Sequence, residues 1–94
     1  MKMSNDMSDF KKRLTRIIKE SNLDTDQKLL WDLFLEFASS HEDEAVHEAI
    51  TDDKENLEYL TKYLRDKVWD MKENNTKTWK KLIQKETKYA TLLG

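Results

Sequence analysis

Ninety-four residues are enough for one modest core and too few for two, so a single domain is expected. The 38% of charged residues nearly cancel at a net −2, which leaves compaction unopposed by self-repulsion, while three Trp and three Tyr offset a low apolar content of 37%. The absence of cysteine excludes a disulfide framework and a thiolate nucleophile, and a chain with no proline and Gly94 as its one glycine lacks the material of tight β-hairpins and phosphate-cradling loops.

Helical periodicity runs nearly end to end, interrupted by Ser, Thr, Asp and Asn clusters that read as caps. Residues 1–7 are expected to be a flexible N-terminus. A first helix over 8–21 places Phe10, Leu14, Ile17 and Ile18 on one stripe, with Lys11, Lys12, Arg13, Arg16 and Lys19 around the remainder. Asp24, followed by Gln27, predicts a capping box that opens a second helix over 25–38. Apolar residues from Leu29 to Ala38 cover most of its circumference, so this helix is expected at the centre, with Leu30, Leu33, Phe34 and Phe37 among the most buried residues.

Ser39 or Ser40 predicts the cap of a short acidic helix over 41–50 whose thin strip of Ala45, Val46, Ala49 and Ile50 should hold the core weakly. Asp52 and Glu55 suggest a further capping box for a helix over 53–73, and Asn74-Asn75 separates it from a last helix over 76–92. So short a connection predicts an antiparallel hairpin, with Met71 near Trp79, Val68 near Leu82, and Glu86 paired with Lys67 at the edge. The expected fold is therefore all-α: one compact bundle of four to five helices over 1–94, with a C-terminal antiparallel helical hairpin.

The segment from His41 to Glu48 is the one place that resembles metal chemistry. Its two histidines are six residues apart and point about 240° from one another on a helix, so it is not the zinc-protease pattern. Glu44 and His47 form a single E-x-x-H step, whereas a di-iron bundle needs two such steps and two further glutamates. No nucleophile motif or glycine-rich loop accompanies them. The chain is thus expected not to be an enzyme, with no catalytic residue, no bound metal and no cofactor; a metal-dependent enzyme completed at a dimer interface is the third reading.

Charge is segregated. Residues 36–58 carry nine acids against Lys54, while residues 59–94 carry nine bases against Asp66, Asp70, Glu73 and Glu86. On the last helix Lys77, Lys81, Lys85 and Lys88 fall on one line, with Lys80 beside it, opposite the stripe of Trp79, Leu82 and Ile83. A solvated face is the simplest account of this ridge, and contact with an acidic protein surface or with phosphates are the alternatives. Trp69 lies off the apolar stripe of its helix, and Tyr59 and Tyr63 lie on another side, which leaves them as sandwiched core or as partner anchors.

The function expected from these features is a small non-catalytic interaction or regulatory module that binds another protein or itself. The candidate surface comprises Lys77, Lys80, Lys81, Lys85, Lys88, Trp69, Tyr59 and Tyr63. The alternative is a weak, non-sequence-specific nucleic-acid binder using the lysine ridge. No apolar run exceeds Leu29-Leu30-Trp31 or Leu33-Phe34-Leu35, and residues 1–10 hold no stretch of signal-peptide length, which argues for a cytoplasmic protein without a membrane partner.

Overall fold

The computed structural model describes residues 9–93, and the expected flexible segment 1–7 lies outside the described residues. Every described element is helical: α1 (Asp9–Glu20), α2 (Thr25–Phe37), α3 (Ser40–Asp52), α4 (Glu55–Lys62), α5 (Leu64–Asn74), α6 (Thr76–Lys85), a 3-10 turn (Thr87–Tyr89) and α7 (Ala90–Leu93). The radius of gyration is 13.3 Å, close to the value of about 12 Å for a compact domain of this length.

The second helix is the hub, as its broad apolar arc requires. Its start is fixed by the Asp24 capping box: the Asp24 carboxylate accepts from the Gln27 amide at 2.8 Å, and Gln27 Oε1 accepts from the Asp24 amide at 3.1 Å. Leu30, Trp31, Leu33, Phe34 and Leu35 are buried between α1 on one side and α5 on the other. Phe37 departs from expectation. It is half-buried, and its ring packs against Trp79 with centroids 6.5 Å apart, so it closes the edge of the core rather than filling it.

Trp31 explains the first of two breaks that shorten the C-terminal helices. The indole is 1% exposed and donates to the Thr61 hydroxyl at 2.8 Å, because a buried Trp N–H needs an acceptor. Thr61 in turn donates to the Leu57 carbonyl at 2.6 Å. Such back-bonding bends helices, and Tyr63, with φ −104° and ψ 3°, marks the bend that divides the expected helix 53–73 into α4 and α5. The second break falls at Glu86, with φ −139° and ψ 94°. Helical continuation would put Glu86 on the stripe of Trp79, Leu82 and Ile83, carrying a carboxylate into apolar surroundings. Instead the chain turns, Glu86 stays exposed, and Tyr89 and Leu92 enter the core. α5 and α6 touch across Asn75, but two long antiparallel partners are not formed; α4 packs with α3 and α5, and α7 packs on α2.

A chain with no internal glycine must close its helix C-termini by other means. No described residue has a positive φ. Side chains supply the donors instead. Lys28 Nζ donates to the Lys19 carbonyl of α1 at 3.1 Å, Asn56 Nδ2 to the Ala49 carbonyl of α3 at 2.8 Å, and Asn74 and Asn75 to the Asp70 and Met71 carbonyls of α5 at 3.0 and 2.7 Å. Lys11, from α1, does the same for α2: its ammonium donates to the Leu35 carbonyl and reaches the Ala38 carbonyl at 3.5 Å.

Candidate interaction surfaces

The third helix is held far more firmly than its thin strip suggests. Ser39 caps it through a complete capping box, with Ser39 Oγ accepting from the Glu42 amide at 3.2 Å and Glu42 Oε1 accepting from the Ser39 amide at 3.0 Å. The helix runs on to Asp52, so the expected box between Asp52 and Glu55 cannot form; Asp53 Oδ1 accepts from the Glu55 amide instead, at 2.9 Å. The expected weak hold is overturned by Asp43, whose side chain is 0% exposed and lies 3.3 Å from the Lys11 ammonium. Among the described residues neither Asp43 oxygen accepts a hydrogen bond, so the charge of Lys11 is what compensates its burial. One ammonium thereby joins α1, the end of α2 and the first turn of α3.

The expected pair of Glu86 with Lys67 is also replaced. Lys67 Nζ lies 3.3 Å from Glu42 on α3, and Glu86, at the break that ends α6, pairs with Lys88 at 3.2 Å, two residues on. The amide of Ser39 that Glu42 accepts from, and then Lys67, hold the Glu42 carboxyl below its ordinary value. The acidic segment is therefore not wholly outward: Asp43 is spent inside the fold and Glu42 on a cap and a bridge.

On α6, Lys77, Lys80, Lys81 and Lys85 are exposed, opposite the half-buried Trp79, Leu82 and Ile83, and the helix has no fully buried residue. None of these four lysines is ion-paired with a described residue. Lys88 leaves the line, since it sits in the 3-10 turn beyond the break, beside Glu86 and 5.3 Å from the Tyr89 ring centroid. That turn gathers charge against α2. Burial raises the Asp32 carboxyl above its ordinary value, with Glu36 and Glu86 adding to the effect and Lys88 opposing it. Burial, then the carboxylates of Asp32 and Glu86, push the Tyr89 phenol up to about 12.

The aromatic candidates divide. Tyr59 and Tyr63 are 60% and 55% exposed and form an edge-to-face pair with centroids 5.4 Å apart at the bend between α4 and α5. Trp69, 41% exposed, is covered on one face by Lys72, whose ammonium lies 3.8 Å from its ring centroid and 5.6 Å from that of Trp79. That cation ties α5 to α6. His41 is exposed and His47 is half-buried, with its ring 5.2 Å from that of Phe10. Among the described residues no group of three or more His, Asp or Glu side chains is placed to hold a metal ion, and no helix is long and apolar enough to cross a membrane.

The clefts between helices are shallow. One of about 480 Å³ lies between the α1–α2 turn and α4, beside Leu23, Gln27, Leu57 and Thr61. A second, of about 430 Å³, lies where α1 meets α3 and is lined by Asp9, Lys12, Arg13, Arg16, Ile17 and His47. This second groove has no role assigned to it from the sequence, where Lys12, Arg13 and Arg16 fall only around the remainder of their helix. The signal was present in the spacing 9, 12, 13, 16, 17, which is one continuous helical face.

No protein-family model matches this chain, and neither a curated protein nor a solved structure is significantly similar to it. The residues themselves carry the functional reading.

Proposed function

We propose that this chain is a small, non-catalytic, intracellular interaction module that binds another protein, or a second copy of itself, through Tyr59, Tyr63 and Trp69 together with the lysines of α6. The observation that carries this reading is the exposed Tyr59–Tyr63 pair, in a domain that buries Trp31, Phe34 and Tyr89. Rigid aromatic side chains left in solvent lose little conformational entropy on binding and are enriched among interface anchors. The unpaired Lys77, Lys81 and Lys85 add a charged surface that favours an acidic partner and speeds encounter.

The test is capture from a native extract, with mass measured in solution alongside, for the unmodified chain and two variants. Tyr59→Ser/Tyr63→Ser should weaken association by about 1 kcal/mol or more per anchor. Lys77→Glu/Lys81→Glu/Lys85→Glu should weaken it strongly while leaving helicity unchanged, because exposed charges contribute little to folding. Association that survives both variants at low ionic strength sinks the proposal.

The same unpaired lysines support weak, non-sequence-specific nucleic-acid binding as a second reading. It predicts affinity for single-stranded oligonucleotides that falls steeply with salt and vanishes in the triple reversal. The tyrosine variant separates the two, since a phosphate-tracking ridge does not need Tyr59 or Tyr63.

A further inference from the structure

The groove between α1 and α3 lies on a different part of the surface from the one assigned above, and its chemistry is different. Lys12, Arg13 and Arg16 line it from one helix and His47 from the other, over a floor made by Ile17. None of the three α1 cations is ion-paired with a described residue, although the chain has 19 acidic residues from which partners could be drawn. Like charges so placed repel one another and gain from an anion between them.

The groove is also organised in advance. The His47 ring packs at a tilt against Phe10 with centroids 5.2 Å apart, and the Arg13 guanidinium lies over the same Phe10 ring, 5.8 Å from its centroid. Arg13 is thus placed by a cation–π contact and makes no ion pair with a described residue, so its charge is uncompensated by an acid. Arg16, one turn along, presents a second planar fork to the same space. The apolar stripe of α1 is already committed to the core through Leu14 and Ile18, so this helix cannot lay an apolar face into a lipid surface.

We propose that the α1–α3 groove binds a single phosphoryl group, as inorganic phosphate or a small phosphomonoester, through Arg13, Arg16 and Lys12, with His47 as a further donor at its edge. Two arginine forks and an ammonium suit a dianion better than a monoanionic carboxylate. Asp9 at one end of the groove disfavours an extended polyanion, so the ligand is compact. The volume of about 430 Å³ accommodates such a molecule.

The test is titration of the full chain with inorganic phosphate and, separately, phenyl phosphate, followed by amide and arginine Nε–H resonances. Saturable one-to-one binding is expected, with shifts centred on residues 9–17 and His47. Arg13→Gln/Arg16→Gln should lower the affinity at least about tenfold, since each lost charge-assisted bond is worth about that factor. Both arginines are exposed, so unchanged helicity of the variant guards against a folding artefact. Lys77→Gln/Lys81→Gln/Lys85→Gln should bind as the unmodified chain does. Tighter binding of phenyl phosphate than of inorganic phosphate identifies a phosphomonoester as the ligand, and equal binding identifies the free anion. The proposal is overturned by an absence of saturable binding at millimolar ligand, by affinity that is indifferent to the arginine variant, or by binding confined to an oligonucleotide and lost with the α6 lysines.

Discussion

Replacing Lys11 with Met strips the charge from an ammonium that serves three helices at once. Asp43, 0% exposed and with no hydrogen bond from a described residue, would then be a buried carboxylate without compensation. Removing one partner of a buried pair typically costs about 3 to 5 kcal/mol. Against a total stability of about 5 to 14 kcal/mol for a chain of this length, that is about a fifth or more of the whole. It corresponds to a fall in melting temperature of about 12 °C or more. Asp43→Asn should cost less, because Lys11 is 19% exposed and keeps the Leu35 and Ala38 carbonyls. The double variant Lys11→Met/Asp43→Asn should be more stable than the sum of the single losses implies, by more than about 1 kcal/mol. Urea unfolding followed by tryptophan fluorescence and by circular dichroism measures all four corners of this cycle. Strict additivity, or a Lys11→Met variant that melts within two or three degrees of the unmodified chain, would refute the reasoning.

Three further perturbations address other parts of the fold. Burial and neighbouring carboxylates raise Asp32, so its ionised form opposes folding above its titration and the opposition fades as pH falls; Asp32→Asn should raise the melting temperature at neutral pH, with the gain shrinking in acid. Tyr89 holds its proton up to about 12 in the folded state against 10 when unfolded, so stability of about 2 to 3 kcal/mol is present below pH 10 and lost as pH rises towards 12. Tyr89→Phe should lack that alkaline loss when the two proteins are unfolded side by side in urea. Thr61→Val leaves the buried Trp31 N–H without its 2.8 Å acceptor and should cost about 1 to 3 kcal/mol in the same urea assay.

The sequence made the hub of this fold legible for local reasons. The Asp24–Gln27 box depends on residues three apart, the cap of α3 narrows to Ser39 or Ser40, and the arc of α2 is visible in ten consecutive positions. What stayed hidden depends on partners distant in the chain. Trp31 selects Thr61 as its acceptor across thirty residues, and the bend at Tyr63 follows from that choice rather than from any helix breaker. Asp43 is one of nine acids in an acidic segment, yet it shares the stripe spacing of Val46 and Ile50, as Lys11 shares that of Leu14 and Ile18. Opposite charges at stripe positions of two neighbouring helices are the pattern that points to an internal pair. The exposure of Lys77, Lys81 and Lys85 could be read from their line on α6, but the departure of Lys88 from that line required the break at Glu86.

Closing helix ends with side chains from elsewhere has a consequence for how the domain opens. A glycine cap is a local device, and a helix that carries one can fray and re-form by itself. Here the last carbonyls of α1, α2 and α3 are held by Lys28 on α2, Lys11 on α1 and Asn56 on α4. No one of these ends can be released without disturbing a neighbour, so their amides should exchange with solvent together, through a single large opening. Among the described residues no side chain of another helix is seen to donate to the last carbonyls of α6, and α6 has no fully buried residue. Its amides should exchange first, so that the helix bearing the lysines lifts away from a body that still holds its shape.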